Sequence, residues 1–225
     1  MTKKLILILT LILSLSVSMP SAAKSAVGPD TISARRAFVE MPATVLDLLP
    51  KSTRLDMLDF FDVDSIYNAV NSLEGFSSLE TVTPDYLKVR LTPVSSMQFK
   101  VLKNKKGNDI VMTIYTVGGG REAKDSDIRF FDTQLQELNR DKFLKLPELK
   151  DFFNIPKESK TTMKEIDDLI PFATMEFNAS SGSDIVTGKL TVGQFLSQED
   201  YDIIKSLERP QVTLRWDGKT LRPAN

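Results

Sequence analysis

Near Gly75 the spacing of apolar side chains changes from steps of three and four to steps of two, and no single kind of secondary structure accommodates both. Before it, Phe38, Met41, Val45, Leu48 and Leu49 predict a helix, with Pro42 in its first turn and Pro50 at its end. Ser52 or Thr53 can cap a second helix whose apolar face is Leu55, Met57, Leu58, Phe60 and Phe61. Asp62 to Leu73 fits a third helix or an extended segment, and Gly75 closes it. Beyond it, Leu79 to Thr83 alternates and Pro84-Asp85 makes a turn. Tyr86, Lys88 and Arg90 then alternate with Leu87, Val89 and Leu91. Met97, Phe99 and Val101 alternate with polar partners, and Ile110 to Val117 and Ile128 to Phe131 read as further strands. Lys103 to Lys106 reads as a hairpin tip, with Gly107 supplying the turn. Short strands between turn signals are antiparallel hairpins, so the expected class is α+β, with helices on one face of an antiparallel sheet.

The plan restarts near Arg140. Phe143, Leu146, Leu149, Phe152 and Phe153 have helical spacing, and Thr161 or Thr162 can cap a segment carrying Met163, Ile166, Leu169 and Ile170. Strands follow at Phe172–Asn178, Asp184–Val192, Gln211–Trp216 and Thr220–Leu221, with a helix at Gln198–Leu207 capped by Ser197. Asp109-Ile110-Val111 recurs as Asp184-Ile185-Val186, and Phe131-Asp132 followed by a turn and Leu135 recurs as Trp216-Asp217 followed by a turn and Leu221. The expectation is two tandem modules, 36–139 and 140–225, each with helices packed on an antiparallel sheet, as a degenerate repeat.

The start of the chain points outside the cytoplasm. Lys3 and Lys4 precede an apolar run, Leu5 to Val17, and Ser21-Ala22-Ala23 offers small residues for cleavage after Ala23, or after Ala26 instead. The run of 13 residues is shorter than the roughly 20 a spanning helix needs. Residues 1–23 are therefore expected to be a signal peptide and 24–35 a flexible leader. Without cysteine the mature chain cannot be a lipoprotein, and no later segment is apolar enough to span a membrane. A periplasmic or secreted protein follows. Loss of Lys3 and Lys4 takes the formal charge from −1 to −3, and no basic run suggests nucleic acid.

Cysteine and histidine are both absent. The fold must rest on its buried core rather than on disulfides, which about 200 residues can supply. The missing histidine removes the commonest general base and the centre of every Ser-His-Asp arrangement, and no His/Cys zinc site can form. Neither a cofactor nor a metal is expected. Any enzyme would run on carboxylates, Lys, Tyr or Ser.

Candidate sites are few. Asp56, Asp59, Asp62 and Asp64 could hold a cation or supply paired carboxylates, but Asp56 and Asp59 fall on the polar side of a helix and Asp64 resembles an N-cap. Gly118, Gly119, Gly120 and Arg121 follow a strand as phosphate loops do, yet no helix starts after them, and a long hairpin loop explains the glycines better; mobile and charged, such a loop could still touch a partner. Ser159-Lys160 and Lys51-Ser52 bring Ser and Lys together only as helix starts. Trp216 is either an exposed contact residue or the buried lid of a second core. Strict alternation places Tyr86, Lys88, Arg90, Gln98 and Lys100 on one sheet face. That face is expected to be solvated and to bind a partner, with Tyr86 and Arg90 foremost. The other face should pack on Leu55, Leu58 and Phe61.

Three stretches, Phe38 to Asp62, Leu79 to Leu102 and Ser126 to Leu138, resemble a family of exported Bacteroidetes proteins known only as a domain of unknown function. The resemblance implies a periplasmic or surface location and carries no catalytic residues. The function expected is a non-enzymatic binding or interaction protein of the cell envelope, its partner an envelope or extracellular protein. The alternatives are a carboxylate-based hydrolase of glycan and a structural or assembly factor.

Overall fold

Ser33 opens the first helix by accepting the Arg36 N–H at its hydroxyl, as an N-cap does. The computed structural model describes residues 30–119 and 123–224; the expected signal peptide and residues 24–29 of the leader lie outside the described residues. Helix α1 spans Ala34–Glu40, so it begins inside the segment expected to be leader. It stops at Met41 rather than running on to Leu49, because Pro42 disfavours the helical conformation in the residue before it. Helix α2, Lys51–Asp62, starts after Pro50 with no side-chain cap from Ser52 or Thr53. The buried Arg54 of α2 donates to the carbonyls of Phe38 and Met41 at 2.8 and 2.7 Å. It thereby satisfies carbonyls that the end of α1 leaves without helical partners.

The strands are β1 (Ala69–Val70), β2 (Phe76–Val82), β3 (Tyr86–Thr92), β4 (Ser95–Lys103), β5 (Asp109–Val117), β6 (Asp125–Phe131) and β7 (Glu137–Leu138). They form one antiparallel meander of seven strands in sequence order. Gly107, at φ 88°, makes the turn between β4 and β5 and donates its N–H to Asn104 O at 2.9 Å. The segment left open between helix and strand, Asp62 to Leu73, is neither for most of its length: Asp62 ends α2, and the rest contributes only β1.

In the second half Pro147 interrupts the helical spacing, and residues 140–152 form two short 3-10 turns, Arg140–Lys142 and Leu149–Phe152, in place of the expected helix. Thr162 and Glu165 form a reciprocal capping box that starts α3, Met163–Leu169. Strands β8 (Met175–Ala179), β9 (Ile185–Leu190), β10 (Val212–Trp216) and β11 (Leu221–Pro223) make a second antiparallel sheet, with α4 (Gln198–Ile204) between β9 and β10. Ser197 caps α4 as expected. Asp132 and Asp217 hold corresponding turns, each accepting two backbone N–H bonds after a strand that ends in an aromatic residue.

The class is α+β, but the two halves are not separately closed. One face of the larger sheet carries Leu87, Val89, Met97, Phe99 and Val101 and packs on α1, with Phe38 and Phe99 edge to face at 5.6 Å. Of the α2 residues expected beneath it, Leu58 is buried, Phe61 is half-buried and Leu55 points to solvent. The other face carries Ile110, Met112, Ile114, Ile128 and Phe130, which join one cluster with Phe177, Val186, Leu214 and Trp216 of the smaller sheet. Strand β5 is therefore apolar on both faces, as a central layer requires, and β8 lies across β4, β5 and β6. The architecture is three layers: helices, the large sheet and the small sheet.

Candidate functional site

Where β8 crosses the large sheet the contact is polar. The Tyr86 hydroxyl donates to Gln98 Oε1 at 3.1 Å. Gln98 donates from Nε2 to Phe177 O at 3.1 Å and accepts the Ala179 N–H at 2.9 Å, so its amide pairs with β8 as a strand backbone would. Lys100, 3% exposed, bonds Asp85 at 2.5 Å and Ser180 O at 2.9 Å. Asp85 also accepts the Ser181 hydroxyl and the Gly182 N–H, each at 2.9 Å. Burial acts to raise the Asp85 pKa, yet Lys100, the Gly182 N–H and Ser181 together hold it well below the usual carboxylate range. The Tyr86 phenol is pushed up to about 12 by burial and by Glu80. The face expected to be solvated is thus a seam. Tyr86, Gln98 and Lys100 are covered because the second sheet needs somewhere to bury its own inner face. Tyr86 is not available to a partner.

Arg90 and Gly118 do come together. Both line a cleft of about 180 Å³ with the Glu80–Lys88 and Lys124–Glu176 ion pairs, each 2.8 Å. Gly118 is required there: its φ is +95°, and a Cβ would stand 2.2 Å from Ala123 O. Gly119 has φ 148°, and Gly120 and Arg121 lie outside the described residues. Trp216 is far from this group in role. It is buried, donates to Lys103 O at 2.7 Å and stacks with Phe130 and Phe143, which makes it the lid of the second cluster.

Lys124 and Glu176 also border a cleft of about 350 Å³ with Lys189, Tyr201 and Glu208. Burial raises the Glu208 pKa, against the pull of Lys189 and the Tyr201 hydroxyl. Two carboxyl groups in unlike surroundings therefore share one cleft.

The feature that periodicity misses lies at the β1 edge of the large sheet. Val63, Ile66, Val70, Leu73 and Phe76 are between 61% and 94% exposed. Asn71 shapes the hairpin that carries them: its side chain accepts the Leu73 and Gly75 N–H groups and donates to Leu91 O at 2.9 Å. Val70 pairs with Phe76 across β1 and β2, while the neighbouring pair, Ala69 and Ser77, is buried, so Val70 and Phe76 face away from the helices. Phe60 stacks on Tyr67 at 4.3 Å and ties α2 to this edge. An adjoining cleft of about 340 Å³ is lined by Met57, Phe61, Ile66, Tyr67, Leu79 and Arg90 among others. The signal in the sequence misleads: Val63, Ile66, Val70 and Leu73 keep the three-and-four spacing of a helix, and all four are exposed in a segment that is not helical.

The acidic run does not converge. Arg35 donates to Asp62 at 2.9 Å, and Asp64, at φ 51°, follows the C-terminus of α2 rather than capping a start. Among the described residues no group of three or more acidic side chains is placed to hold a metal ion, and no helix is long and apolar enough to cross a membrane.

The model of a family described as protein of unknown function (DUF3256) matches residues 27–221. The chain belongs to this family. A domain of an uncharacterized protein from Porphyromonas gingivalis W83 is similar in structure, with a TM-score of 0.72 at 19% identity, over 86% of this chain and 99% of that one. The family and the bacterial group agree with the resemblance read from the sequence, and the structural likeness establishes the fold alone. No curated protein matches the chain.

Proposed function

We propose that this chain is an exported, non-enzymatic protein of the cell envelope that binds another protein through the β1 edge. The observation that carries this reading is that Val63, Ile66, Val70, Leu73 and Phe76 are all exposed along the stretch that leads into β1 and back into β2, with Val70 paired to Phe76. Monomeric proteins scatter exposed apolar side chains singly, and a concentration of them marks a contact surface. An assembly role uses the same edge and differs only in the partner. The two Asp-held turns support a duplication of the two meanders, so the repeat remains part of the proposal.

Hydrolysis of glycan by carboxylates is the second reading, favoured by Glu176 and Glu208 in one cleft with Glu208 shifted toward its neutral form. One preparation separates the two. Protein purified from its native host should have an intact mass starting at Lys24, or at Val27 if the alternative site is used. It should retain envelope proteins that an Ile66→Ser/Leu73→Ser variant releases. A mass that includes residues 1–23 contradicts export by a cleaved signal. Equal recovery by both forms, with a glycosidase activity that Glu208→Gln abolishes, would replace binding by hydrolysis.

A further inference from the structure

The segment that leads from α2 through β1 is acidic as well as apolar. Residues 55–76 contain Asp56, Asp59, Asp62, Asp64 and Glu74 and no Lys or Arg. Asp62 is neutralised by Arg35. The other four are exposed, and among the described residues none of them forms an ion pair. Arg90, which lines the adjoining cleft, is hydrogen-bonded to Ser78 at 3.0 Å. Asp64 lines the adjoining cleft with Ile66, and Glu74 follows Leu73 in the β1–β2 hairpin, so unpaired carboxylates stand beside exposed apolar groups and discriminate among occupants. A second copy would bring two acidic rims together, and like charges across an interface oppose association. An anionic bilayer surface would be repelled for the same reason. A partner with apolar side chains flanked by Lys or Arg gains from both features, since its apolar groups leave water while its charges meet carboxylates at the rim.

Resting on the reading of this edge as an interaction surface, we infer that its occupant is a basic, apolar segment of another protein. An extended segment suits the place. β1 ends the large sheet, and at only two residues it covers only the start of the β2 edge. The partner's apolar side chains lie over Ile66 and Val70, and its basic side chains reach Asp64 and Glu74.

The test uses the full mature chain and three fluorescent peptides, in which valine and isoleucine alternate with lysine, with glutamate or with serine. The lysine peptide should bind about ten-fold more tightly than the glutamate peptide at low salt and lose most of that advantage near 1 M salt. Asp64→Asn/Glu74→Gln should bring the three peptides close to one affinity. Ile66→Ser/Val70→Ser should weaken all of them, with melting unchanged because both side chains are exposed. Equal or reversed preference in the wild-type chain overturns the inference and leaves an uncharged interaction surface standing. Binding that ignores Ile66→Ser/Val70→Ser, or no binding by any peptide, removes the surface itself. Co-sedimentation with phosphatidylglycerol vesicles, or a dimer that Ile66→Ser/Val70→Ser dissolves, assigns the edge to a bilayer or to a second copy and overturns the proposal.

Discussion

Phe130→Ala is expected to destabilise both sheets together by about 3–5 kcal/mol, the usual cost of emptying a buried aromatic site. Phe130 is wholly buried on β6, on the face turned toward the small sheet. Its ring lies 5.6 Å from that of Phe143 and 6.4 Å from that of Trp216, so truncation removes contacts that join the large sheet to the second half of the chain. Trp216 is the one tryptophan in the chain and reports the second cluster by fluorescence, while far-UV circular dichroism reports mainly the larger sheet. Urea unfolding should show one transition by both probes, shifted equally in the variant. A fluorescence transition that moves alone would mean that the two sheets unfold independently and that the shared core contributes little.

Asp85→Ala should cost about 3 kcal/mol, the lower end for breaking a buried ion pair, because the Asp85 side chain is 34% exposed while that of Lys100 is 3% exposed. The variant leaves the Lys100 ammonium buried with Ser180 O as its remaining hydrogen-bond acceptor and frees the turn at Ser181–Gly182. Adding Lys100→Met should recover much of the loss, since an apolar side chain needs no counter-charge there. The pH dependence has a definite sign. The Asp85 carboxyl is depressed in the folded chain, so its contribution is complete above the ordinary carboxylate pKa, near 4, and drains away as pH falls below that toward its folded value. The gap in urea midpoint between wild type and Asp85→Ala should therefore be widest at neutral pH and narrow as pH drops below about 4. A gap that stayed constant to pH 2 would show that the ion pair is not what holds the seam.

These two results bear on what alternation can and cannot reveal. The period of two located β2 to β6 within a few residues, and it divided Leu87, Val89, Met97, Phe99 and Val101 correctly from Tyr86, Lys88, Arg90, Gln98 and Lys100. It could not tell that the polar set is covered. The covering strand, β8, lies about 80 positions later, and Gln98 and Lys100 are satisfied there by the backbone of Phe177, Ala179 and Ser180, which no side-chain pattern encodes. Helical spacing failed at two prolines. Pro42 ends α1 early, and Pro147 turns the run from Phe143 to Phe153 into 3-10 turns. Arg90 and Gly118 share a cleft because Gly118, whose N–H bonds Val94 O, sits beside the β3–β4 turn, a pairing that follows from strand register. The β1 edge was the least legible region. Val63, Ile66, Val70 and Leu73 step by three and four as the buried stripe of a helix would, yet they lie in loop and β1 and face water, so the period there points to a core contact that does not exist.

Site-specific photo-crosslinking in the native host tests the central claim most directly. A photoreactive residue placed at Val70 should trap a defined envelope protein, and the adduct should map to a segment in which Lys or Arg flanks apolar residues. The same residue placed at Lys219, an exposed turn position in the small sheet's last hairpin, should trap nothing in common with it. Adducts from both positions to the same abundant proteins, or none from Val70, would contradict the account of this edge as the binding surface.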